Sequence, residues 1–271
     1  MKVLIATSNN YSFLIEPYYT LFNKYFPGQE LVFLGFDKGP ESDLPENCSF
    51  VSLGKQSDFG SIWTDPLIPY IDSLEDEYFI FTVEDVMLLD HVDIKKFKIL
   101  EDEIKNNRAS KAILDSHLNK YSEPYQFTTW ESMWDDSKNN LRLLHQNAPY
   151  RTTLHPSIWR KEYFRKYLKP GFTAWQFETS DINVRESNID GANIISLAQE
   201  KDLYYTCNVF LKGVPFPRFT ANRPYGTSTD KVSDKAMEDI RYIQTFIEKK
   251  GPHNENKDEP ENEVPSWSFT F

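Results

Sequence analysis

The chain carries the run Tyr78-Phe79-Ile80-Phe81-Thr82-Val83, and the next two residues are Glu84 and Asp85. Apolar residues occupy successive positions in this run, so both faces of a strand formed by it are apolar. Strands buried on both faces are typical of a parallel sheet covered by helices. The run therefore predicts a central strand with two carboxylates directly at its carboxyl end.

The start of the chain indicates the same architecture, since strand-like and helix-like segments alternate there. Residues 2–6 and 30–36 have the pattern of strands, and residues 16–26 between them have the pattern of a helix. This alternation is typical of parallel α/β sheets. We therefore expect an α/β fold: a three-layer sandwich around a mostly parallel, Rossmann-like sheet.

Further elements are predicted along the chain. Residues 65–74 should form a helix that Asp65 caps, residues 111–114 a short strand, and residues 157–168 another helix. A helix capped by Asp93 should bury four apolar residues at helical spacing: Ile94, Phe97, Leu100 and Ile104. Residues 119–147 show no steady period and suit antiparallel strands and loops.

One domain and a tail are expected from length and composition. The 271 residues are 39% hydrophobic, which suffices for one substantial core over residues 1–251. Within it, residues 233–250 predict a helix that packs on the body. Residues 252–271 form an acidic, polar tail that we expect to be flexible, although Trp267 and two later phenylalanines could dock back.

The overall charge narrows the range of partners. A formal net charge of -11 argues against binding to nucleic acid or to an anionic membrane. Cys48 and Cys207 lie far apart without metal-like spacing, and no segment is long and apolar enough to span a membrane. We therefore expect a cytoplasmic protein with a small-molecule partner.

Three loops are candidates for ligand binding, because ligands of parallel sheets gather at the carboxyl ends of the strands. The first loop contains Thr7, Ser8 and Asn9, the second begins at Asp37, and the third contains the acidic pair 84–85. Carboxylates there suit Mn²⁺ or Mg²⁺ bridging to a diphosphate, because both ions prefer oxygen ligands. The alternative is a solvated turn, and spacing alone does not decide between them.

A second candidate lies in Trp175-Gln176-Phe177-Glu178. An acid flanked by aromatic rings would be partly desolvated, which raises its pKa toward a range useful for a general base. Trp175 could also stack on a sugar ring. The alternative is a surface glutamate beside two core aromatics. No Gly-rich phosphate loop occurs among the ten glycines, which weakens dehydrogenase, kinase and ATPase interpretations.

Three blocks, in this order, resemble a group of GT-A-fold glycosyltransferases found in bacteria and large viruses. The first is Ser61-Ile62-Trp63-Thr64-Asp65 ahead of the strand that ends in Glu84-Asp85, where the family usually has two aspartates. The second is His155-Pro156-Ser157-Ile158-Trp159-Arg160-Lys161-Glu162-Tyr163-Phe164, where His155 replaces the usual Gln. The third is Ala174-Trp175-Gln176-Phe177-Glu178.

This resemblance implies a hexosyltransferase-type enzyme that uses a nucleotide-sugar donor. It implies that Asp85 and Glu84 hold the metal, and that Glu178 is the base of an inverting reaction. The implied donor-binding residues are Thr7, Ser8, Asn9, Asp37, Trp63, Glu84 and Asp85. The implied acceptor-binding residues are Trp175, His155 and Arg160. The implied acceptor is a glycan or a lipid-linked or polysaccharide chain, in a host cytoplasm if the protein is viral.

Two other classes stay open. A non-catalytic carbohydrate- or nucleotide-binding module would use Trp63, Trp159 and Trp175 as stacking surfaces, with the acids on a solvated rim. A nucleotidyltransferase would share the α/β layout and the acidic metal site, but it usually needs a basic, Gly-rich phosphate loop.

Overall fold

The computed structural model describes residues 1–115, 118–124, 140–197, 203–211, 214–215 and 234–250. The helices in these ranges are α1 (Ile15–Tyr25), α2 (Gln56–Phe59), α3 (Thr64–Ser73), α4 (Ile94–Lys105), α5 (Lys161–Tyr167), α6 (Ala174–Thr179), α7 (Asp181–Ile189) and α8 (Asp234–Lys250). The strands are β1 (Lys2–Ala6), β2 (Glu30–Gly35), β3 (Cys48–Ser52), β4 (Tyr78–Val83), β5 (Val86–Leu88), β6 (Lys111–Ile113), β7 (Ser122–Pro124), β8 (Leu141–Leu144), β9 (Ser157–Arg160), β10 (Ile194–Leu197), β11 (Thr206–Asn208), β12 (Phe210–Leu211) and β13 (Val214–Pro215). The tail at 252–271 lies outside the described residues.

A nine-stranded sheet in the order β3-β2-β1-β4-β9-β6-β10-β8-β7 forms the centre of the molecule. The pairs β3–β2, β2–β1, β1–β4 and β6–β10 are parallel. β9 runs against β4 and β6, and β8 runs against β10 and β7. Only β8 and β9 are therefore reversed among these nine described strands, which confirms the predicted, mostly parallel sheet.

Helices cover both faces of this sheet, as β4 illustrates. Ile80 faces one core together with residues of α1, α4 and α8. Its neighbours Phe79 and Phe81 face a second core together with residues of α3, α5 and α6. Alternate side chains of one strand thus enter two different cores, as the pleat of a strand requires. The three-layer α/β sandwich is confirmed.

Aromatic rings fill the second core and fix α6 against the sheet. Phe177 of α6 lies with ring-centroid distances of 5.4 Å to Trp63, 5.4 Å to Phe164 and 6.2 Å to Trp159. Phe177 and Trp159 are fully buried. Burial of such large rings contributes several kcal/mol, of order 2–3 kcal/mol per ring. The packing leaves the following residue, Glu178, little freedom of position.

The predicted helix at 157–168 is wrong in its first turn. Ser157–Arg160 is strand β9, inserted between β4 and β6, and the helix begins only at Lys161. Ile158 and Trp159 are both fully buried, in different cores, which suits a strand with two covered faces. Pairing with two neighbours outweighs the helical pattern, because local propensity is a weak preference.

Two details of the predicted helices are also wrong. Ile94 is the first residue of α4 and is 44% exposed, whereas Phe97, Leu100 and Ile104 are buried as predicted. Asp65 does not cap α3, which begins at Thr64. Its carboxylate instead accepts a hydrogen bond of 2.5 Å from the backbone N–H of Gly171 and so ties α3 to the loop before α6.

The helix α8 packs on α1, as predicted for residues 233–250. Ile240 and Ile243 are buried in the first core. The Asp239 carboxylate pairs with Lys24 Nζ at 2.5 Å and accepts a short hydrogen bond from the Tyr25 hydroxyl. Across the ranges that the structure describes, no helix is both long and apolar enough to cross a bilayer.

Candidate active site

Three neighbouring strands bring ionisable side chains to one edge of the sheet. In the register of β4, β9 and β6, Ser157 lies between Phe81 and Ile113. Because β9 is antiparallel, the residues before it lie at the same edge as the residues after β4 and β6. That edge therefore collects Glu84, Asp85, Asp115 and His155, and Glu178 of α6 joins them by accepting a hydrogen bond from the N–H of Leu154. We call these five residues the carboxyl-edge cluster.

The acidic pair lies in the tight turn between β4 and β5. The N–H of Glu84 donates to the carbonyl of Ala6 at 3.1 Å, and the carbonyl of Asp85 accepts from the N–H of Val209 at 2.7 Å. The turn is thus fixed to the end of β1 on one side and to the segment after β11 on the other. Such anchoring suits a site that must hold its carboxylates in place.

Burial raises the pKa values of both acids. The Glu84 side chain is buried, and this burial together with the charge of Asp85 raises its pKa well above the usual value. Hydrogen bonds from backbone amides, including that of Ser8, act to lower the pKa but are outweighed. Burial raises the pKa of Asp85 to about 6, with Glu178 adding to the increase and His155 opposing it. Asp85, Glu178 and His155 are therefore near enough to influence one another electrostatically.

The acids fit a divalent cation only in part. Among the described residues, no three His, Cys, Asp or Glu side chains are grouped so as to hold a metal ion. Mg²⁺ commonly needs only one or two carboxylates when substrate phosphates and water complete its shell. Asp85 fits that requirement better than Glu84, because Asp85 is half-buried and can be reached by a ligand, whereas Glu84 is buried.

His155 is oriented by a carboxylate that the sequence analysis missed. Its Nδ1 lies 2.8 Å from Oδ2 of Asp115, which is buried directly after β6. Burial alone would lower the pKa of His155, but the adjacent Asp115 and the more distant Glu178 outweigh it and raise that pKa. Asp115 could have been found by applying the strand-end rule to residues 111–114 as well.

Glu178 lies near the end of α6 and is held by backbone groups. Its Oε1 accepts a hydrogen bond of 2.5 Å from the N–H of Leu154, and its carbonyl accepts from Thr152 Oγ1 at 3.2 Å. The predicted shielding by flanking aromatics is wrong, because Phe177 points into the core and Trp175 is 64% exposed. Glu178 is half-buried.

The predicted donor loops form a hydrogen-bonded network at the same edge. Asp37 Oδ1 accepts from Asn9 Nδ2 at 2.9 Å and from the N–H of Gln56 at 3.0 Å. The Asn9 N–H in turn donates to Gln56 Oε1 at 2.7 Å. Thr7 is buried, and its N–H donates to Leu34 O at 2.9 Å, while Ser8 is half-buried.

Two predicted site residues have other surroundings. Trp63 is half-buried, and its ring lies edge-on to Phe81 at 5.7 Å, so much of it belongs to the second core. Arg160 is placed away from the cluster, because it pairs with Tyr78 at the opposite end of β4. Its guanidinium donates to the carbonyl of Ile104 at 2.8 Å. The structure therefore does not bring Arg160 to the other predicted acceptor-binding residues.

Comparisons with known proteins give no family. No family model and no curated protein matches the chain. Among solved structures, an active-site mutant of LgtC aligns over 90% of this chain and 96% of its own, with 10% identity and a TM-score of 0.44. TarS from S. aureus aligns over 76% of this chain and 59% of its own, with 11% identity and a TM-score of 0.44.

Bifunctional IspDF from Campylobacter jejuni aligns over 76% of this chain, with 13% identity and a TM-score of 0.40. The chain spans about half the length of that protein, 52%. A galactosyltransferase LgtC complex with donor and acceptor sugar analogues aligns over 61% of this chain and 60% of its own, with 12% identity and a TM-score of 0.36. These TM-scores are too low to carry an argument about fold or function.

Proposed function

We propose that the protein is a glycosyltransferase that moves a sugar from a nucleotide-sugar donor to an acceptor hydroxyl. The observation that carries the proposal is the carboxyl-edge cluster, where Asp85, Glu178 and the His155–Asp115 pair lie at one edge of a mostly parallel sheet. Ligands of such sheets bind at that edge. Perturbed pKa values in a cluster of this kind are characteristic of functional sites.

The donor is proposed to lie across the first two loops. Asn9 and Asp37 offer polar groups for the nucleoside, and the turn at 84–85 faces the diphosphate. When bound by Asp85, with help from Glu84, Mn²⁺ or Mg²⁺ would neutralise the charge that develops on the departing nucleoside diphosphate. A cation there would also relieve the repulsion between the two neighbouring carboxylates.

The acceptor is proposed to approach from the side of α6. Glu178 takes the proton of the acceptor hydroxyl, the acceptor oxygen forms a bond to the anomeric carbon, and the bond from that carbon to the diphosphate breaks. The nucleoside diphosphate leaves with the electron pair. A single displacement of this kind inverts the anomeric carbon.

Trp175 and His155 are proposed to bind the acceptor. The Trp175 ring is 64% exposed, so it can stack on a sugar ring. His155 is held in one orientation by Asp115 and so presents a fixed polar group. A hexose donor and a glycan, lipid-linked or polysaccharide acceptor complete the proposal.

Calorimetry with a panel of nucleoside diphosphates tests the donor site. We expect binding with Mn²⁺ and much weaker binding with a chelator, because the site is rich in carboxylates. Equal affinity under both conditions would contradict the metal-assisted form of the proposal.

A second assay separates enzyme from binding module. Slow hydrolysis of one nucleotide sugar, or transfer to a simple glycoside, is expected only of the enzyme. Binding of donor without any turnover would favour the non-catalytic module, for which the exposed Trp175 is the supporting observation.

A further inference from the structure

Lys111 is buried completely at the start of β6, beneath the proposed active site. Its Nζ donates to the carbonyls of Arg151 at 3.1 Å and Thr153 at 2.7 Å. It also lies 3.9 Å from the ring centroid of Trp159, within the range of a cation–π contact. The lysine thus binds a segment of backbone that is far from it in sequence.

That segment, residues 151–155, begins in a turn closed by a hydrogen bond from the N–H of Thr153 to the carbonyl of Tyr150 at 2.9 Å. The carbonyls of Arg151 and Thr153 accept from Lys111 on one side. The N–H of Leu154, the next residue along the chain, donates to Glu178 Oε1 at 2.5 Å. Lys111 and Glu178 are therefore connected through one short stretch of backbone.

The same stretch also determines where His155 lies. The N–H of His155 donates to Thr153 Oγ1 at 3.3 Å, and its ring is held by Asp115 at 2.8 Å. The Thr152 hydroxyl donates to the carbonyl of Glu178. Displacing the segment would thus move the proposed base and the proposed acceptor-binding imidazole together.

We propose that Lys111 is a positioning residue: by binding the carbonyls of Arg151 and Thr153, it fixes the segment that orients Glu178 and His155 for transfer. The effect on transfer rests on the proposed function, whereas the effect on the segment does not. Lys111 touches neither donor nor acceptor in this role. It acts only through the backbone of residues 151–155.

The energetics favour a specific role over mere space-filling. A lysine buried among aromatic rings loses its hydration, and an apolar side chain of similar length would pack there without that cost. Burial lowers the pKa of Lys111 well below its usual value, while the charges of Glu178 and Asp115 act to raise it. The contacts of Lys111 Nζ are with two carbonyls and the Trp159 ring. Both carbonyls belong to residues 151–155, so the polar contacts of the lysine are directed to that segment.

Lys111→Met tests the proposal, with Lys105→Met as the matched control. Lys105 also lies over an aromatic ring, 5.6 Å from the centroid of Tyr78, and its ion pair is with Glu101 of its own helix. We expect Lys111→Met to bind a nucleoside diphosphate with unchanged affinity. Its kcat for transfer should fall roughly 10- to 100-fold with little change in the donor KM, since small misplacements have such effects.

Hydrogen exchange provides a readout that is independent of activity. In Lys111→Met the Leu154 amide should exchange at least about tenfold faster, because its bond to Glu178 is weakened. Lys111→Gln keeps a donor for one carbonyl, so it should recover part of both the exchange protection and the kcat. Lys105→Met should leave both unchanged. If Lys111→Met does not fold, Lys111→Gln carries the same test.

Unchanged Leu154 exchange in Lys111→Met would overturn the proposal, and so would unchanged kcat despite faster exchange. An equal loss of protection throughout the second core would assign Lys111 to general stability instead. Absence of transfer by the wild-type protein would refute the proposed function, while the exchange data would still decide whether Lys111 holds the segment.

Discussion

Two clusters of charge in this protein shift the pKa of an aspartate in opposite directions, although burial acts to raise it in both. The carboxyl-edge cluster raises the pKa of Asp85 to about 6 and that of Glu84 well above normal. At the cluster around Asp190, burial also acts to raise the pKa, but hydrogen bonds from Tyr167 and the Ala192 N–H outweigh it and lower the pKa. Burial alone therefore does not explain the difference.

The partners of each carboxylate explain it. We call Arg151, Tyr163, Tyr167 and Asp190 the Asp190 cluster. Tyr167 donates to Asp190 Oδ2 at 2.5 Å, and the Ala192 N–H donates to Oδ1 at 2.9 Å. Arg151, whose side chain is fully buried, lies 3.4 Å from the same carboxylate. These donors stabilise the ionised form of Asp190.

The carboxyl-edge cluster instead brings four carboxylates together with one imidazole. Lys111 lies below it, but its Nζ donates to backbone carbonyls. Excess charge of one sign destabilises the folded state, and it is tolerated where a ligand of opposite charge completes the site. The comparison supports a structural role for the Asp190 cluster and the functional role proposed above for the carboxyl-edge cluster.

The largest effect is expected from Glu178→Gln, which removes the proposed base from the carboxyl-edge cluster while keeping its shape. Transfer should fall by roughly two to four orders of magnitude, with donor affinity retained. Steady-state kinetics and calorimetry together measure both. Transfer at the wild-type rate would assign Glu178 a structural role and direct attention to His155 or Asp181.

Arg151→Met should have the largest effect on stability. It leaves the buried Asp190 without its arginine and frees two carbonyls, those of His145 and Ala192, that Arg151 now satisfies. Removing one partner of a buried pair costs about 3–5 kcal/mol of unfolding free energy. Urea unfolding measures this loss, and a loss below about 1 kcal/mol would contradict the structural assignment.

Asp85→Asn should stabilise the protein without metal. A carboxyl whose pKa rises from 3.8 to about 6 on folding favours the protonated folded state. Its penalty therefore grows as pH rises from about 4 to 6 and is complete above that. The variant should gain on the order of 1–3 kcal/mol at pH 8 and less at pH 5.

Thermal unfolding with a chelator present, at both pH values, measures the gain of Asp85→Asn. Asp190→Asn is the matched control with opposite sign. The pKa of the Asp190 carboxyl is lowered in the folded protein, so ionised Asp190 stabilises the fold above about pH 4. This contribution is lost as the pH falls below the usual pKa of an aspartate. Destabilisation by both variants at pH 8 would contradict the comparison.

The smallest effect on transfer is expected from Arg160→Gln. Arg160 lies at the opposite end of β9 from His155, so kcat/KM should change by less than about twofold. Stability should fall by about 1 kcal/mol, since the hydrogen bond to Ile104 is lost. A tenfold fall in kcat/KM with normal stability would restore Arg160 to the acceptor site.

Elements with a strong local pattern could be predicted from the sequence. β1 and β4 have the predicted bounds, and α8 packs on the body as predicted, because the local distribution of apolar residues identifies them. The position of the acidic pair at the carboxyl end of β4 followed from the same reasoning. The roles of Glu84 and Asp85 stay predictions.

Features that depend on distant partners could not be predicted. β9 looked like a helix because its pairing with β4 and β6 is absent from the local sequence. The predicted position of Arg160 failed for the same reason. The direction of β9 decides which of its two ends lies at the carboxyl edge, and Arg160 lies at the other end. Lys111 carries one usable signal: it is a lysine that begins a strand whose other residues are all buried.

The contact of α8 with α1 affects how the chain folds during synthesis. Tyr25 and Asp239 are separated by 214 residues. A ribosome adding about 5–20 residues per second needs roughly 10 to 40 s to make that stretch. During this time α1 lacks the cover that Ile240 and Ile243 later provide, so nascent chains expose an apolar surface that chaperones can recognise. The first helix made is therefore among the last to be enclosed.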